Sequence, residues 1–230
     1  MTVNLGGKQG FSLIEAIVAL AMASTAIGLV VVALVSQQKS HITQESLVDM
    51  QQGLRAAMEV IAFDLKMAGY DPAGTAGASI LIADTAELQF QIDRNGDGDL
   101  DVGENIRLAL THDANRDGIA DGTPCDLGRD IDDGSGLQVL AENIDALNFV
   151  FFDAGGNVLP APVANPLAIG SIQITLVARS GSALPGFFIR HRDGKAYYNR
   201  QGAIILPAPN DDFRRMEIVH EFKCRNLLLN

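Results

Sequence analysis

Acidic and amide side chains recur at alternate positions between Asp93 and Glu104, in the segment DRNGDGDLDVGE. This segment, loop 1, has the spacing D-x-N-x-D-G-x5-E, which brings oxygen-bearing side chains to one centre. Calcium takes six to eight oxygen ligands, so the spacing predicts a calcium site; the alternative is a solvated acidic hairpin. The predicted ligands are Asp93, Asn95, Asp97, the Asp99 carbonyl, Asp101 directly or through water, and Glu104, which closes the site.

Residues 113–124, loop 2, repeat the first half of this motif. The matching residues are Asp113, Asn115, Asp117 and Gly118, with Asp121 as a further carboxylate. The twelfth position is Pro124, so the closing ligand is missing, and Asp126 or a carboxylate among residues 130–133 is a candidate substitute. Both a second calcium ion and an ordinary Asp/Asn/Gly turn are compatible with this sequence.

Apolar residues alternate with polar ones on both sides of loop 1, in ELQFQID before it and NIRLALT after it. Alternation predicts strands with one buried face, so a calcium ion here would hold a hairpin together. An EF-hand sensor, in contrast, has helices on both sides of its loop. Further predicted strands are Ser79–Ala83, Leu137–Leu140, Ala146–Asp153, Ser171–Ala178, Gly202–Leu206 and Glu217–Lys223.

Acidic charge is concentrated around these two loops. The chain has 230 residues and a net charge of −11, and residues 93–133 hold twelve acidic and four basic side chains. This balance argues against sequence-independent binding to nucleic acid, which needs a basic face. The four histidines lack the spacing of a zinc site, and no serine lies in G-x-S-x-G, so we expect no enzyme.

An apolar segment near the N-terminus could anchor the chain. Residues 11–35 are interrupted by only one charge, Glu15, and about 20 apolar residues suffice to span a bilayer. A carboxylate inside a spanning helix is costly and is expected to have a partner; the alternative is that it lies at the interface near the helix start. The run is too long for a secretory signal peptide, so we expect it to be retained.

The helix is predicted to continue beyond the apolar run, through residues 36–70 and without a proline before Pro72. An apolar stripe at helical spacing supports this: Leu47, Met50, Leu54, Met58, Ile61 and Leu65. Phe11–Ala68 is therefore predicted to be one helix, whose second half packs on the sheet of residues 71–230. The predicted fold class is α+β, with a long N-terminal helix packed on a mainly antiparallel sheet.

The stretch KQGFSLIE, residues 8–15, resembles the processing site of the type IV pilin and type II secretion pseudopilin superfamily. The resemblance implies a leader peptide of residues 1–10, cleavage after Gly10 by a prepilin peptidase, and N-methylation of Phe11. It also implies that Glu15 pairs with the terminal amine of a neighbouring subunit and sets the axial register between packed helices. Such a pair neutralises two groups that are each prohibitive in lipid.

Segments of the head resemble PilW-type minor pilins, which are similar in plan to the J-type minor pseudopilins of type II secretion. They are LAENIDALNFVFFD, SIQITLVARS and the ending from Phe213 through Asn226. The resemblance implies a protein that is anchored in the bacterial inner membrane and has a periplasmic head. It also implies that the protein joins a filament, where its helix packs against other pilins, and that an inner-membrane assembly platform is a further partner. A type II secretion pseudopilin and a pilus-displayed adhesin are the alternatives.

Two cysteines complete the set of candidate residues, Cys125 directly after loop 2 and Cys224 at the end of the last predicted strand. In an oxidising envelope compartment we expect them to form a disulfide between the loop and the C-terminal region. Two buried free thiols are the alternative.

Overall fold

Helix α1 spans Leu13–Met67 in a computed structural model that describes residues 10–122, 124–181 and 191–228 of the chain. Most of the predicted leader, residues 1–9, therefore lies outside the described residues. The predicted helix, Phe11–Ala68, is confirmed with slightly narrower limits. It starts after Ser12, whose side chain caps it, and it ends before Gly69, which has a φ of +74°. The chain divides into two compact units, Met1–Glu45 and Ser46–Asn230, and α1 continues through the boundary.

The second unit has a main apolar core and a smaller apolar cluster, which consists of Ala146, Val177, Tyr197, Ile205 and Leu206. The predicted helix stripe is confirmed from Met50 onward: Leu54, Met58, Ile61 and Leu65 are buried in the main core and Met50 packs against it, whereas Leu47 is half-buried and lies outside it. The partners of the stripe from the strands include Phe90, Phe149 and Phe151, all essentially inaccessible to solvent. Burial of these apolar faces is the main force that holds the helix on the sheets.

A five-stranded antiparallel sheet follows α1, in the order β1-β2-β3-β4-β5. Its strands are β1 Ile80–Ala83, β2 Leu88–Gln91, β3 Asn105–Leu110, β4 Leu127–Asp130 and β5 Gln138–Ala141. The predicted strands on both sides of loop 1 are confirmed as β2 and β3, which pair from Leu88↔Leu108 to Gln91↔Asn105. Loop 1 thus connects a β-hairpin, and loop 2 lies between β3 and β4.

A second antiparallel sheet has four strands in the order β11-β8-β6-β7, and β9 and β10 form a separate hairpin. The bounds are β6 Ile144–Phe152, β7 Val158–Leu159, β8 Ser171–Arg179, β9 Tyr197–Tyr198, β10 Ile204–Leu206 and β11 Arg215–Lys223. Short 3-10 turns occur at Pro166–Ala168 and Asn226–Leu228. The predicted α+β class with antiparallel sheets is confirmed.

Polar contacts fix the last turn of α1 to the strands. The buried carboxylate of Asp64 accepts two hydrogen bonds from Arg129 of β4, from Nε at 2.6 Å and from Nη2 at 3.1 Å. The Gly69 N–H donates to the Gln91 carbonyl at 2.9 Å, and the Asn226 side chain donates to the Lys66 carbonyl. These contacts supplement the apolar core with directional bonds, which specify how the helix end meets the sheet.

Candidate functional site

Glu15 takes part in a capping box at the start of α1. The Ser12 N–H donates to Glu15 Oε2 at 2.9 Å, and the Glu15 N–H donates to Ser12 Oγ at 3.3 Å. This reciprocal pair satisfies two N–H groups that a helix start otherwise leaves without an acceptor. The sequence carries the signal, since Ser12 and Glu15 have the S-x-x-E spacing, but the sequence reasoning did not use it. The Glu15 carboxylate is thus occupied within its own chain.

The residues around the predicted cleavage site are accessible. Gly10 is exposed and Phe11 is 91% exposed. A Cβ atom at Gly10 would meet no atom within 4 Å, and its φ is not in the left-handed region. The fold itself therefore has no need of glycine at position 10.

The first half of α1 is apolar and uncovered. Its most apolar 18-residue window has a mean hydropathy of 2.6 with none of it buried, so α1 is long and apolar enough to cross a membrane by length and composition. Large exposed side chains here include Leu13, Leu20, Met22 and Leu29. Such an apolar surface needs lipid or protein to cover it.

Loop 1 is organised by hydrogen bonds from its backbone to its own carboxylates. Asp93 is fully buried and accepts from the N–H groups of Gly96 at 2.6 Å and Gly98 at 3.1 Å. Asn95 Oδ1 accepts from the Asp97 N–H, and Asp97 Oδ1 accepts from the Asp99 N–H. The alternating acids and amides therefore define the turn through hydrogen bonds within the loop itself.

Glu104 closes loop 1 from its far end. Its Oε1 accepts from the N–H groups of Arg94 at 2.8 Å and Asn95 at 3.2 Å, and its Oε2 accepts from the Asp101 N–H at 2.8 Å. These bonds, first that from Asp101, lower the pKa of the Glu104 carboxyl against the opposing effect of burial. Glu104 is buried, and its carboxylate closes the loop by accepting hydrogen bonds from the backbone.

Loop 2 repeats the hydrogen bonds of the first half of loop 1. Asp113 accepts from the Gly118 N–H at 2.8 Å, as Asp93 accepts from Gly98. Asn115 Oδ1 accepts from the Asp117 N–H, and Asp117 Oδ1 accepts from the Ile119 N–H. The sequence repeat is therefore also a structural repeat.

Asp121 closes loop 2 in place of the missing glutamate. Its Oδ2 accepts from the Ala114 N–H at 2.8 Å, the position that corresponds to Arg94 in loop 1. The suggested substitutes are engaged elsewhere: Asp126 Oδ1 accepts from the Asn143 N–H, and Asp130 Oδ1 from the Asp132 N–H. Thr123 lies outside the described residues.

The side-chain ends of three predicted ligands meet in loop 1. The Asn95 amide nitrogen lies 2.8 Å from Asp97 Oδ2 and 3.4 Å from Asp101 Oδ2. Within residues 10–122, 124–181 and 191–228, however, no group of three or more His, Cys, Asp or Glu side chains is positioned to hold a metal ion. The hydrogen bonds described above occupy the carboxylates of Asp93 and Glu104.

The expected disulfide between Cys125 and Cys224 is wrong in this fold, where both are buried free thiols. Cys125 accepts the Ile144 N–H on its carbonyl, and Ile144 pairs with Ala178 of β8. Cys224 follows Lys223, which pairs with Ser171 at the other end of β8. Seven residues of strand separate these ends by roughly 23 Å, far beyond disulfide reach. Burial raises the pKa of Cys224 to about 12 and also raises that of Cys125.

A buried ionic cluster around Arg215 was not found from the sequence. The Arg215 guanidinium donates to Asp145 at 2.7 Å, to both oxygens of Asp211 at 2.7 Å, and to Asp193 at 3.3 Å. Tyr197 also donates its hydroxyl to Asp193 at 2.7 Å. The hydrogen bonds from Arg215 are the main cause that lowers the pKa of Asp211, whereas burial raises that of Asp145. Folding brings these residues together from three separated stretches of sequence, around residues 145, 193–197 and 211–215.

Comparison with solved structures finds a similarity to a type IV-like pilin from Thermus thermophilus, with a TM-score of 0.45 and 15% sequence identity. The match covers 77% of this chain and 97% of that protein. A similarity at this level is too distant to carry an argument about function. No protein-family model matches the sequence, and no curated protein matches it.

Proposed function

We propose that this protein is a pilin-type subunit, a PilW-like minor pilin that takes part in the assembly and priming of a type IV pilus. One observation carries the proposal: Gly10, Phe11 and Glu15 lie at the start of a long helix, which begins at Leu13 and whose first half is apolar and uncovered. The leader precedes these residues, and the β-rich head follows the helix. In this proposal the helix holds the subunit in the inner membrane, with the head in the periplasm, until assembly.

The fold gives no reason of its own for glycine at position 10, because a side chain there would meet no described atom within 4 Å. The same holds for Gly28, Gly53 and Gly122, but Gly10 stands in the stretch that resembles a processing site, where a requirement of another protein explains the glycine. In the proposal that protein is a prepilin peptidase, which cleaves after Gly10, and Phe11 is then N-methylated. The exposure of both residues supports access to an enzyme active site.

Glu15 acts in two successive pairs in this proposal. In the uncut chain its carboxylate caps its own helix through the Ser12 N–H. After cleavage, the new ammonium group of a neighbouring subunit offers a charge-assisted partner, stronger than a neutral N–H donor. Exchange of one partner for the other would fix the register of packed helices, because a carboxylate left unpaired in an apolar environment is costly.

Calcium is proposed as a structural ion of loop 1. The convergence of Asn95, Asp97 and Asp101 supports this, together with a closing carboxylate at position 104. A bound calcium ion would neutralise the mutual repulsion of these acids. Loop 2 has a shorter closing side chain, Asp121, and is proposed as the weaker of the two sites.

The test is mass spectrometry of the full chain from envelope fractions, together with electron microscopy of filaments. Wild type is expected to begin at an N-methylated Phe11. Gly10→Leu should stay uncut with an unchanged fold, and Glu15→Ala should be cut but reduce filament number. Glu59→Ala, an exposed acid on the same helix, is the matched control and should leave both unchanged.

Intact residues 1–10 in the wild type, or filaments unaffected by Glu15→Ala, would contradict the proposal. The same strains separate the alternatives. Normal pili with lost type II secretion would indicate a pseudopilin, and normal pili with lost attachment would indicate an adhesin. An adhesin should present an exposed apolar or aromatic patch. On the described surface Tyr198 and Ile204 form an exposed apolar pair, and the neighbouring aromatic pair in the sequence, Phe187 and Phe188, lies outside the described residues.

A further inference from the structure

A cavity of about 340 Å³ lies beside the buried Arg215 cluster. Residues from three separate stretches of chain form it: Leu47 of α1, the segment that leads into β9, and the start of β11. This volume is within the range of small-ligand sites. The lining residues that matter here are Arg192, Asp193, Lys195, Tyr197, Arg214 and Arg215.

The cavity is cationic, although the chain as a whole has a net charge of −11. Among its described lining residues the one carboxylate is Asp193, which is already engaged by Arg215 and by the Tyr197 hydroxyl. Across the described part of the chain, no carboxylate lies within 4 Å of a cationic nitrogen of Arg192, Lys195 or Arg214. Three positive charges in the lining therefore have no carboxylate partner among the described residues.

Arg214 carries an unsatisfied donor. Its backbone N–H donates to the Ser180 hydroxyl at 3.2 Å, which fixes the position of the residue, but its side-chain Nε is buried and has no hydrogen-bond partner in the part of the chain that the structure describes. A buried polar group of this kind is costly and is rare in folded proteins. An acceptor supplied from outside the chain would remove the cost.

One side of the cavity wall is fixed by ion pairs. The Arg215 side chain is 3% exposed and is held by Asp145, Asp193 and Asp211. The Lys195 ammonium lies over the Tyr197 ring, 4.4 Å from its centroid. A site whose charged groups are already positioned loses little entropy when it binds a ligand.

We propose that this cavity binds a compact oxyanion with two or more negative charges, held by Arg192, Lys195 and Arg214. Arginine and lysine donors form strong, charge-assisted hydrogen bonds with such groups, and arginine can do so through two nitrogens at once. The proposal concerns the head alone and is independent of the filament role proposed above.

Isothermal titration of inorganic pyrophosphate into the full chain in non-ionic detergent tests it. The wild type should bind one equivalent, and affinity should fall as salt is raised. Arg214→Gln should weaken binding by about 10-fold, and the exposed double variant Arg192→Gln/Lys195→Gln by about 100-fold, one factor of ten for each lost charge-assisted bond. Arg200→Gln, an exposed cation outside the cavity lining, is the matched control and should change affinity less than about 2-fold.

Absence of binding to the wild type, or equal affinities for the double variant and the Arg200→Gln control, would overturn the proposal. Because Arg192 and Lys195 are exposed, their double variant keeps the test valid if Arg214→Gln does not fold. Long-chain polyphosphate distinguishes the source of the anion. Tighter binding than pyrophosphate per phosphate group indicates an anionic polymer, and equal binding indicates a free small anion.

Discussion

Loop 1 and loop 2 fold their first six residues in the same way but are closed by different carboxylates. In both, the first Asp accepts from the sixth-position glycine, Gly98 or Gly118. Both fourth residues have a positive φ, 75° at Gly96 and 58° at Arg116. Loop 1 then closes through Glu104 with three backbone bonds, and loop 2 through Asp121 with one.

The difference shows how each loop is anchored. Loop 1 is stabilised mainly from within, by Asp93 and Glu104. Loop 2 has a weaker internal closure but is bonded to a strand, since the Leu147 N–H of β6 donates to the Gly118 carbonyl at 2.8 Å. Substitutions at equivalent positions should therefore have unequal effects in the two loops.

The largest effect is expected for Gly118→Ala. A Cβ at Gly118 would lie 2.2 Å from the backbone oxygen of Leu147, whereas at Gly98 it would meet the Thr75 side chain, which can rotate. Gly118→Ala should lower the free energy of unfolding by about 4 kcal/mol and Gly98→Ala by about 2 kcal/mol. Guanidinium titration of the full chain in non-ionic detergent, followed by circular dichroism, measures both.

Gly134→Ala is the control for that comparison. Gly134 has a φ of +86° but open space around its Cβ position, so its substitution reports backbone strain alone, about 1 kcal/mol. Equal losses for Gly118→Ala and Gly134→Ala would show that loop 2 is not held against β6.

Asp93→Ala is expected to have the next largest effect, about 3 kcal/mol, because it leaves the N–H groups of Gly96 and Gly98 without an acceptor. Asp113→Ala should lose only about 1–2 kcal/mol, since Asp113 is half-buried. Asp99→Ala is the control for lost charge, because the Asp99 side chain is exposed and accepts none of the loop bonds described above. The same guanidinium titration measures all three, and a larger loss for Asp113→Ala would reverse the assignment of internal anchoring to loop 1.

Calcium is expected to stabilise the fold mainly through loop 1. At about 30 times its dissociation constant, a single bound ion adds about 2 kcal/mol to stability. Glu104→Gln should remove most of this increment, and Asp121→Asn should leave most of it. The measurement is the shift in melting temperature between calcium and chelator within each variant, so that effects on the calcium-free fold cancel.

No calcium shift in the wild type would contradict the proposed ion in loop 1. A shift that is lost with Asp121→Asn and kept with Glu104→Gln would move the ion to loop 2.

Arg116→Gly should have the smallest effect. Glycine relieves the positive φ at this position, by about 1 kcal/mol, but loses a similar amount through the greater freedom of the unfolded chain. The contact of the exposed Arg116 with the buried Glu87, at 3.4 Å, contributes little, because Arg107 remains paired with Glu87 when Arg116 is removed. We expect a change within about 0.5 kcal/mol, whereas Gly96→Ala should cost about 1 kcal/mol in the same titration. A loss above 1 kcal/mol for Arg116→Gly would mean that its pairing with Glu87 matters.

The sequence predicted those parts of the fold that have a clear period. The stripe from Leu54 to Leu65 and the alternation around loop 1 were enough to predict α1, β2 and β3. Strand β4, Leu127–Asp130, was missed because LGRD has no alternation; its pairing with β3 and β5 makes it a strand. Strands β7 and β9 have only two residues each, too few for a pattern to be seen.

The candidate sites were predictable to the extent that their chemistry is local. The spacing of loop 1 predicted calcium ligands that converge on one centre with Glu104 as the closing ligand, and this stays a prediction. The spacing could not show that the carboxylates of Asp93 and Glu104 bind the backbone. The Cys125–Cys224 disulfide failed because sequence distance says nothing about which end of a sheet a residue reaches. The Arg215 cluster has the same non-local origin, since Asp145 lies 70 residues from Arg215 in the chain.

The bidentate pair between Asp64 and Arg129 has a mechanical consequence. Force that enters the head through the last turn of α1 must stretch two parallel hydrogen bonds together with the buried helix stripe, because both resist displacement at the same place. Bonds loaded side by side share tension, whereas bonds loaded one after another break in turn. The contact between α1 and β4 should therefore resist separation when tension is applied along the helix, so the end of α1 and β4 should move together under load.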